Sequence, residues 1–484
     1  MEKKQNTGKL PLAYRCFKSY LRFLYEKVMY KDIQYLNTEN IPSDGTPLLI
    51  VSNHQNALND AIGILMSFRD RLVHFIVRAD VFSMFPGANK FLRSIGLLPA
   101  FRINHEGEEA VKNNGATFRD SEQALADGQT VVIFPESGHQ TGHFLGTFSY
   151  GYTKMAFEAG ELTGFEKEIF ILPSCNHYSR YHGIRRKSLV KFGIPISIKP
   201  FYELYKTKPR TAQRQVNELV RSQIESMMLD IKDIADYDAI EFLRQGDYGT
   251  EFAKENGFNP ENLPEKLASD RILVTKLATA TGRRETSVSF SSASTSWDGL
   301  GTDDQTQIAV AANQVEQDVP EIYSKALQLK KGMADAGVSE RNFKEKATWG
   351  DIIVKIIGVI ILLPLAVFAL WPSVISYFVP MYFNKKMEDS MFEGTLLFAA
   401  NALFIFPILA IVTIAVVWPL HGFLQAIVWI VLFPLLCIVE WTYCGWLRDI
   451  KEDINYRKSA DSDAIINLTG SRVELYDELN KMLK

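Results

Sequence analysis

Apolar residues follow three different rhythms along this chain. Between residues 31 and about 200, short β-type runs alternate with stretches whose apolar positions recur at helical spacing. Pro47-Leu-Leu-Ile-Val-Ser52 predicts a buried strand and Asp60–Phe68 a helix. Leu72–Val77, Thr130–Phe134 and Ile169–Pro173 predict further strands, with a helix near Gly107–Asp127 between two of them. This alternation predicts an α/β domain over 31–205, a sheet covered by helices. Ahead of it, Leu12, Phe17, Leu21, Leu24 and Val28 fall near one helical face, with Arg15, Lys18, Arg22 and Lys27 mostly elsewhere. Residues 1–30 thus predict a basic amphipathic helix, suited to a membrane interface or to packing on the domain with its basic face in water.

From 206 to 350 the rhythm is helical and charged. Arg210–Asp233 and Glu316–Ala336 predict charge-laced amphipathic helices, and a Ser/Thr-rich loop near 282–306 between them is expected to be mobile. The third rhythm, over 351–448, is almost unbroken apolarity. Ile352–Phe378 holds Lys355 as its only charge, and Leu396–Trp418 and Phe423–Trp446 follow as further candidate spans. Pro364 and Pro372 leave the first of these open as a kinked span or a re-entrant hairpin. Residues 449–484 form a polar tail. An integral membrane protein is expected, and a soluble enzyme without membrane contact is excluded.

Composition changes this picture little. Of 484 residues, 53 are Lys or Arg and 56 Asp or Glu, so no charge excess points to a nucleic-acid partner. Cys16, Cys175, Cys437 and Cys444 include no C-x-x-C pair and are too few for a disulfide framework. No secretory signal is expected at the N-terminus. No cofactor is expected either, since Walker and dinucleotide glycine patterns are missing. Neither His139 with His143 nor Cys175 with His177 makes a metal set, and no G-x-S-x-G supplies a serine nucleophile.

The chemistry lies in four short blocks. Ser52-Asn-His54-Gln-Asn-Ala-Leu-Asn-Asp60 delivers a histidine from a buried strand to a helix start, with a carboxylate one to two turns on. Histidine titrates near neutrality and suits deprotonation of a hydroxyl, and a carboxylate on its other ring nitrogen would fix the tautomer. Gly96-Leu-Leu-Pro-Ala-Phe-Arg102 presents an arginine just after an apolar strand, a good donor to phosphate. Val131-Val-Ile-Phe-Pro135-Glu136-Ser137-Gly138-His139 ends a strand in a carboxylate and a glycine-containing turn that can aim N–H groups at an anion. Phe170-Ile-Leu-Pro173 is an apolar strand closing on proline.

In this order and spacing, the blocks resemble the glycerol-phosphate acyltransferase superfamily over roughly 35–200. Five residues rather than four separate His54 from Asp60, which resembles the fungal-type glycerol-3-phosphate/dihydroxyacetone-phosphate branch. That branch also carries a charged insertion and C-terminal spans. Ser137 stands where the family's first glycine is usual, and His139 where many members have arginine. The resemblance implies His54 as general base, Asp60 as its orienting carboxylate, and Arg102, Glu136, Ser137 and Gly138 around the acceptor. It implies a donor of the acyl-CoA or acyl-carrier-protein type and a glycerol-phosphate acceptor. The catalytic domain would face the cytoplasm and leave its product in membrane lipid. The first acylation, on glycerol 3-phosphate or dihydroxyacetone phosphate, is expected, with 1-acylglycerol 3-phosphate as the rival acceptor. A thioester hydrolase or a non-catalytic membrane scaffold would be the alternatives of another class.

Overall fold

The structure, a computed structural model, describes residues 12–69, 71–78, 82, 88–100, 114–136, 142–181, 183–282, 320–385 and 392–484. The Ser/Thr-rich stretch near 282–306 lies outside these residues apart from Gly282. Two compact units emerge, one running to Asp230 and the other starting at Ile231.

The first unit is built on an eight-stranded sheet. Its strands are β1 (Tyr30–Leu36), β2 (Leu48–Ser52), β3 (Val73–Arg78), β4 (Leu97–Ala100), β5 (Thr130–Ile133), β6 (Phe170–Tyr178), β7 (Arg186–Phe192) and β8 (Ile196–Ser197). The order is β1-β7-β6-β2-β5-β3-β4, with β8 beside β6. All pairings are parallel except β6 with β7 and β6 with β8. At the centre, Ile50 of β2 stands in register with Val132 on one side and Leu172 on the other. All five β2 residues are buried, as expected of a strand covered on both faces.

Because side chains alternate, β2 feeds two cores. Leu49 and Val51 join Tyr152, Met155 and Phe157 of α5 (Gly151–Leu162) and Val216, Val220 and Ile224 of α7 (Pro209–Met227). Leu48 and Ile50 join Ile64 of α2 (Leu58–Ser67), with Phe68, Phe75 and Phe192. The i, i+4 apolar series of α7 is therefore spent on the sheet of this unit. Gly63 lets α2 approach closely, since a Cβ there would stand 3.2 Å from Val190 and 3.3 Å from the Tyr25 hydroxyl.

Helix α1 (Leu12–Phe23) and the π-helical turn Leu24–Met29 pack onto the same unit, burying Leu21, Leu24, Tyr25 and Val28. Its cations serve the C-terminal end of α2. Arg22 donates to the carbonyls of Met66 at 2.6 Å and Phe68 at 3.1 Å, and Lys18 to that of Arg69 at 3.3 Å. Carbonyls at a helix C-terminus carry partial negative charge, so these contacts offset it.

On the opposite face, α4 (Asn114–Ala126) meets α5, and Glu122 lies beside Glu158. Burial, reinforced by Glu158, pushes the Glu122 carboxyl up to about 8. A folded-state value above the ordinary 4.5 means that the contribution is complete below about 4.5 and is lost as pH rises through about 8. Thermal melts of Glu122→Gln should therefore show a flatter decline in midpoint across that window than the parent protein.

The second unit is helical throughout its described residues. Helices α8 (Tyr237–Gln245), α9 (Asp247–Glu255), α10 (Leu263–Ala280), α11 (Glu321–Ala336) and α12 (Glu340–Glu345) pack with the C-terminal α16 (Asp463–Leu483). Buried Arg244 is held by Glu241 at 2.6 Å and Asp270 at 2.9 Å. Tyr476 donates to Glu340 at 2.6 Å and Arg472 to Asp247 at 3.0 Å, which ties α16 to this group.

Three helices of this unit are long and apolar enough to cross a membrane: α13 (Trp349–Asn384), α14 (Glu393–His421) and α15 (Phe423–Ser459). The first is a single continuous helix with Pro364, Pro372 and Pro380 inside it, and not a hairpin. Lys355, isolated in the sequence, is paired with buried Asp453 at 2.8 Å. An ammonium so close to the hydrocarbon region is costly without such a partner.

Candidate active site

Strand β2 ends at Ser52, and the next five residues form the turn that leads into α2. Buried Asn53 fastens this turn to β6: its Nδ2 donates to the Asn176 carbonyl at 3.0 Å, and its Oδ1 accepts from the Asn176 amide at 2.7 Å. His54 follows, its ring stacked on Phe134 with centroids 4.3 Å apart. His54 Nδ1 lies 3.0 Å from Asp60 Oδ2. The His54 side chain is 21% exposed and Asp60 is fully buried.

Asp60 sits in the first turn of α2, where the helix dipole favours an anion. Its Oδ2 also accepts the backbone amides of Gln55 at 2.8 Å and Asn56 at 2.7 Å, while Oδ1 accepts the Tyr178 hydroxyl at 2.7 Å. An oxygen that already accepts two N–H groups is an acceptor for Nδ1 too, which assigns the Nδ1–H tautomer and directs Nε2 chemistry away from Asp60.

Behind Asp60 lies a layer that the sequence did not disclose. Burial and the Asp60 charge push the Tyr178 hydroxyl well up, so it remains a donor. Arg186, 4% exposed, lies 5.2 Å from the ring centroids of both Tyr30 and Tyr178 and donates to the Tyr30 hydroxyl at 3.0 Å. With the Asn56 amide turned to satisfy both partners, its oxygen accepts from Arg186 at 3.0 and 3.2 Å. A buried cation thus supports the turn that cradles the carboxylate.

The turn between His54 and Asp60 pivots on one residue of positive φ. Ala57 adopts φ 45° and ψ −124°, a conformation that costs an L-residue about 1–3 kcal/mol. Looping the chain at Ala57 turns the amides of Gln55 and Asn56 onto Asp60. Ala57→Gly should therefore keep the site and raise stability, because relief of that strain, about 1–3 kcal/mol, outweighs the roughly 0.4–1 kcal/mol lost to glycine's freer unfolded chain. Ala57→Val should lower stability, as read by thermal melts of both proteins.

Glu136 follows β5. Its Oε1 accepts the His54 amide at 2.7 Å and its Oε2 the Gly146 amide at 2.7 Å. Both oxygens are thus engaged by backbone, so Glu136 braces the histidine turn against the loop at Gly146. Arg221 of α7 closes that loop by donating to the Gly146 carbonyl at 2.7 Å. Burial pushes the Glu136 carboxyl up to about 8, with the two amides pulling it down. Arg102, Ser137 and Gly138, expected at the acceptor, lie outside the described residues. Among the described residues no group of three or more His, Cys, Asp or Glu side chains could hold a metal ion.

Comparison with known proteins finds a likeness over part of the first unit. Residues 32–176 match the model of the Acyltransferase family. No curated protein matches the chain. Among solved structures, it is similar to the 1-acyl-sn-glycerophosphate (LPA) acyltransferase PlsC from Thermotoga maritima. That likeness has 19% identity and a TM-score of 0.31, covering 44% of this chain and 78% of the other. The matched residues 32–176 run from β1 into β6 and include His54, Asp60 and Glu136, within a longer chain that also carries three apolar helices.

Proposed function

We propose that this protein is a membrane-bound acyltransferase that moves a fatty-acyl group from a thioester donor to glycerol 3-phosphate or dihydroxyacetone phosphate. The observation that carries this reading is the 3.0 Å contact of His54 Nδ1 with an Asp60 whose oxygens are filled by donors. Such a carboxylate orients the ring and balances the charge of the imidazolium that forms. His54 Nε2 takes the proton of the acceptor hydroxyl as its oxygen attacks the thioester carbonyl. The C–S bond then breaks, the thiolate departs with the proton held by His54, and an ester remains. No acyl-enzyme is required.

The acceptor assignment is supported by the sequence blocks, with Arg102, Ser137 and Gly138 as the phosphate side, Glu136 bracing the histidine turn beside them in sequence, and the wide His–Asp spacing as the mark of the fungal-type branch. 1-Acylglycerol 3-phosphate is the rival acceptor, because the same blocks serve both acylations. The apolar helices would keep the acyltransferase domain where its product partitions.

Purified full-length protein with one long-chain acyl-CoA, assayed separately against the three acceptors, tests the reading. Ester formed from glycerol 3-phosphate or dihydroxyacetone phosphate supports it. Ester formed only from the monoacylated acceptor moves the protein to the second acylation. Thiol release that no acceptor stimulates would make it a hydrolase, and no turnover of the thioester would leave a scaffold.

A further inference from the structure

Three apolar helices in a row suggest three crossings, which would place the two flanks of the segment on opposite faces of the membrane. The contacts within the second unit say otherwise. Moving along α13 from Lys355 through Val359 to Ser376, the partners on α15 run backwards: Asp453 at 2.8 Å, Tyr443 at 3.2 Å and Cys437 at 3.1 Å. The two helices are antiparallel. The chain just before α13 also meets the end of α15. The Gly337 carbonyl accepts from Asn455 at 3.1 Å, Ser339 donates to Glu452 at 2.8 Å, and Asn342 donates to Asp453 at 2.8 Å.

The start of α13 and the end of α15 therefore share one end of the bundle. At 36 and 37 residues, these helices are each about 55 Å long, well beyond a hydrocarbon core of about 30 Å. If each crosses once, in opposite directions, the chain between Asn384 and Phe423 must begin and end at the far side. Asn401 donates to the Ser376 carbonyl at 2.8 Å, in the far half of α13, and Trp418 meets Phe423 at the start of α15 with ring centroids 5.1 Å apart.

We propose that α13 and α15 form a two-crossing hairpin whose two ends lie on the cytoplasmic face, joined on the far side by the segment that holds α14. The side follows from charge. A hairpin places both flanks together, so Arg341, Lys344 and Lys346 add to Arg448, Lys451, Arg457 and Lys458 on the near face. The far connection offers Lys385 and Lys386. Lys and Arg concentrate in cytoplasmic segments next to spans, so seven against two orients the hairpin. Under three crossings these groups divide between the faces and the signal fades. The proposal holds whichever acceptor the enzyme uses.

Single-cysteine variants of the full chain, made after Cys16, Cys175, Cys437 and Cys444 are changed to Ser, test it in sealed vesicles with a membrane-impermeant maleimide. Lys344→Cys and Asp461→Cys should label together from the cytoplasmic side, and Lys385→Cys and His421→Cys together from the other. Labelling of Lys344→Cys and Asp461→Cys from opposite sides would overturn the hairpin, as would His421→Cys labelling with Lys344→Cys. Labelling of both pairs with the faces exchanged would overturn the orientation. Should the cysteine-free chain not accumulate, protease protection of the native chain with a tag after Lys484 and another next to Lys385 gives the same discrimination.

Discussion

A His54→Ala protein is expected to bind acceptor and lose turnover by about 10²–10⁴, the usual worth of general-base catalysis. The change removes the ring that stacks on Phe134 and meets Asp60. It leaves in place the His54 backbone amide, which donates to Glu136, and the three other donors to Asp60. The fold should therefore survive, and the melting temperature should change little while the rate collapses. Turnover and melting of the same purified sample separate the two effects. Near-normal turnover in a folded mutant would remove His54 from the chemistry.

Asp60→Asn is expected to cost as much in rate, about 10³–10⁴, by analogy with loss of the carboxylate charge in a Ser-His-Asp triad. An amide has one acceptor oxygen where the carboxylate has two. With that oxygen toward the amides of Gln55 and Asn56, its NH₂ faces the Tyr178 hydroxyl, which can reverse and accept. Stability should then fall by only about 1–3 kcal/mol, the cost of weakened buried hydrogen bonds. The imidazolium formed in the reaction would have no counter-charge, and that loss cannot be relieved by rotation. A rate within threefold of the parent would show that Asp60 serves only to build the turn.

The parts of the fold legible in the sequence are those in which local pattern coincides with burial. The run of Leu48–Ser52, buried on both faces, and the runs at β5 and β6 announced the central strands, and the α/β class followed from them. Arg186–Phe192 did not read as a strand, because Arg186, Lys187 and Lys191 interrupt its apolar run and its parallel partner β1 lies far back in the sequence. Lys355 looked solitary because its partner lies 98 residues on. His54 and Asp60 were visible as a motif, whereas Tyr178 and Arg186 are ordinary strand residues until folding brings them behind Asp60. The spacing between His54 and Asp60 was countable in the sequence, but only backbone geometry shows the positive φ of Ala57 within it.

The parallel pairing of β2 with β5 and β6 has a consequence for the order of events during synthesis. His54 acquires its brace from Glu136 and Asp60 its donor from Tyr178, partners 82 and 118 residues later in the chain. No fragment ending before β6 can hold the site together, and pairing over such separations is slow. Yet the sheet unit closes by Asp230, with about 120 residues still to come before Trp349 opens the first apolar helix. At roughly 5–20 residues per second, the ribosome allows some 6–24 s between those points. The fold of the sheet unit can thus be complete before any long apolar helix has left the ribosome, so its assembly does not require a bilayer.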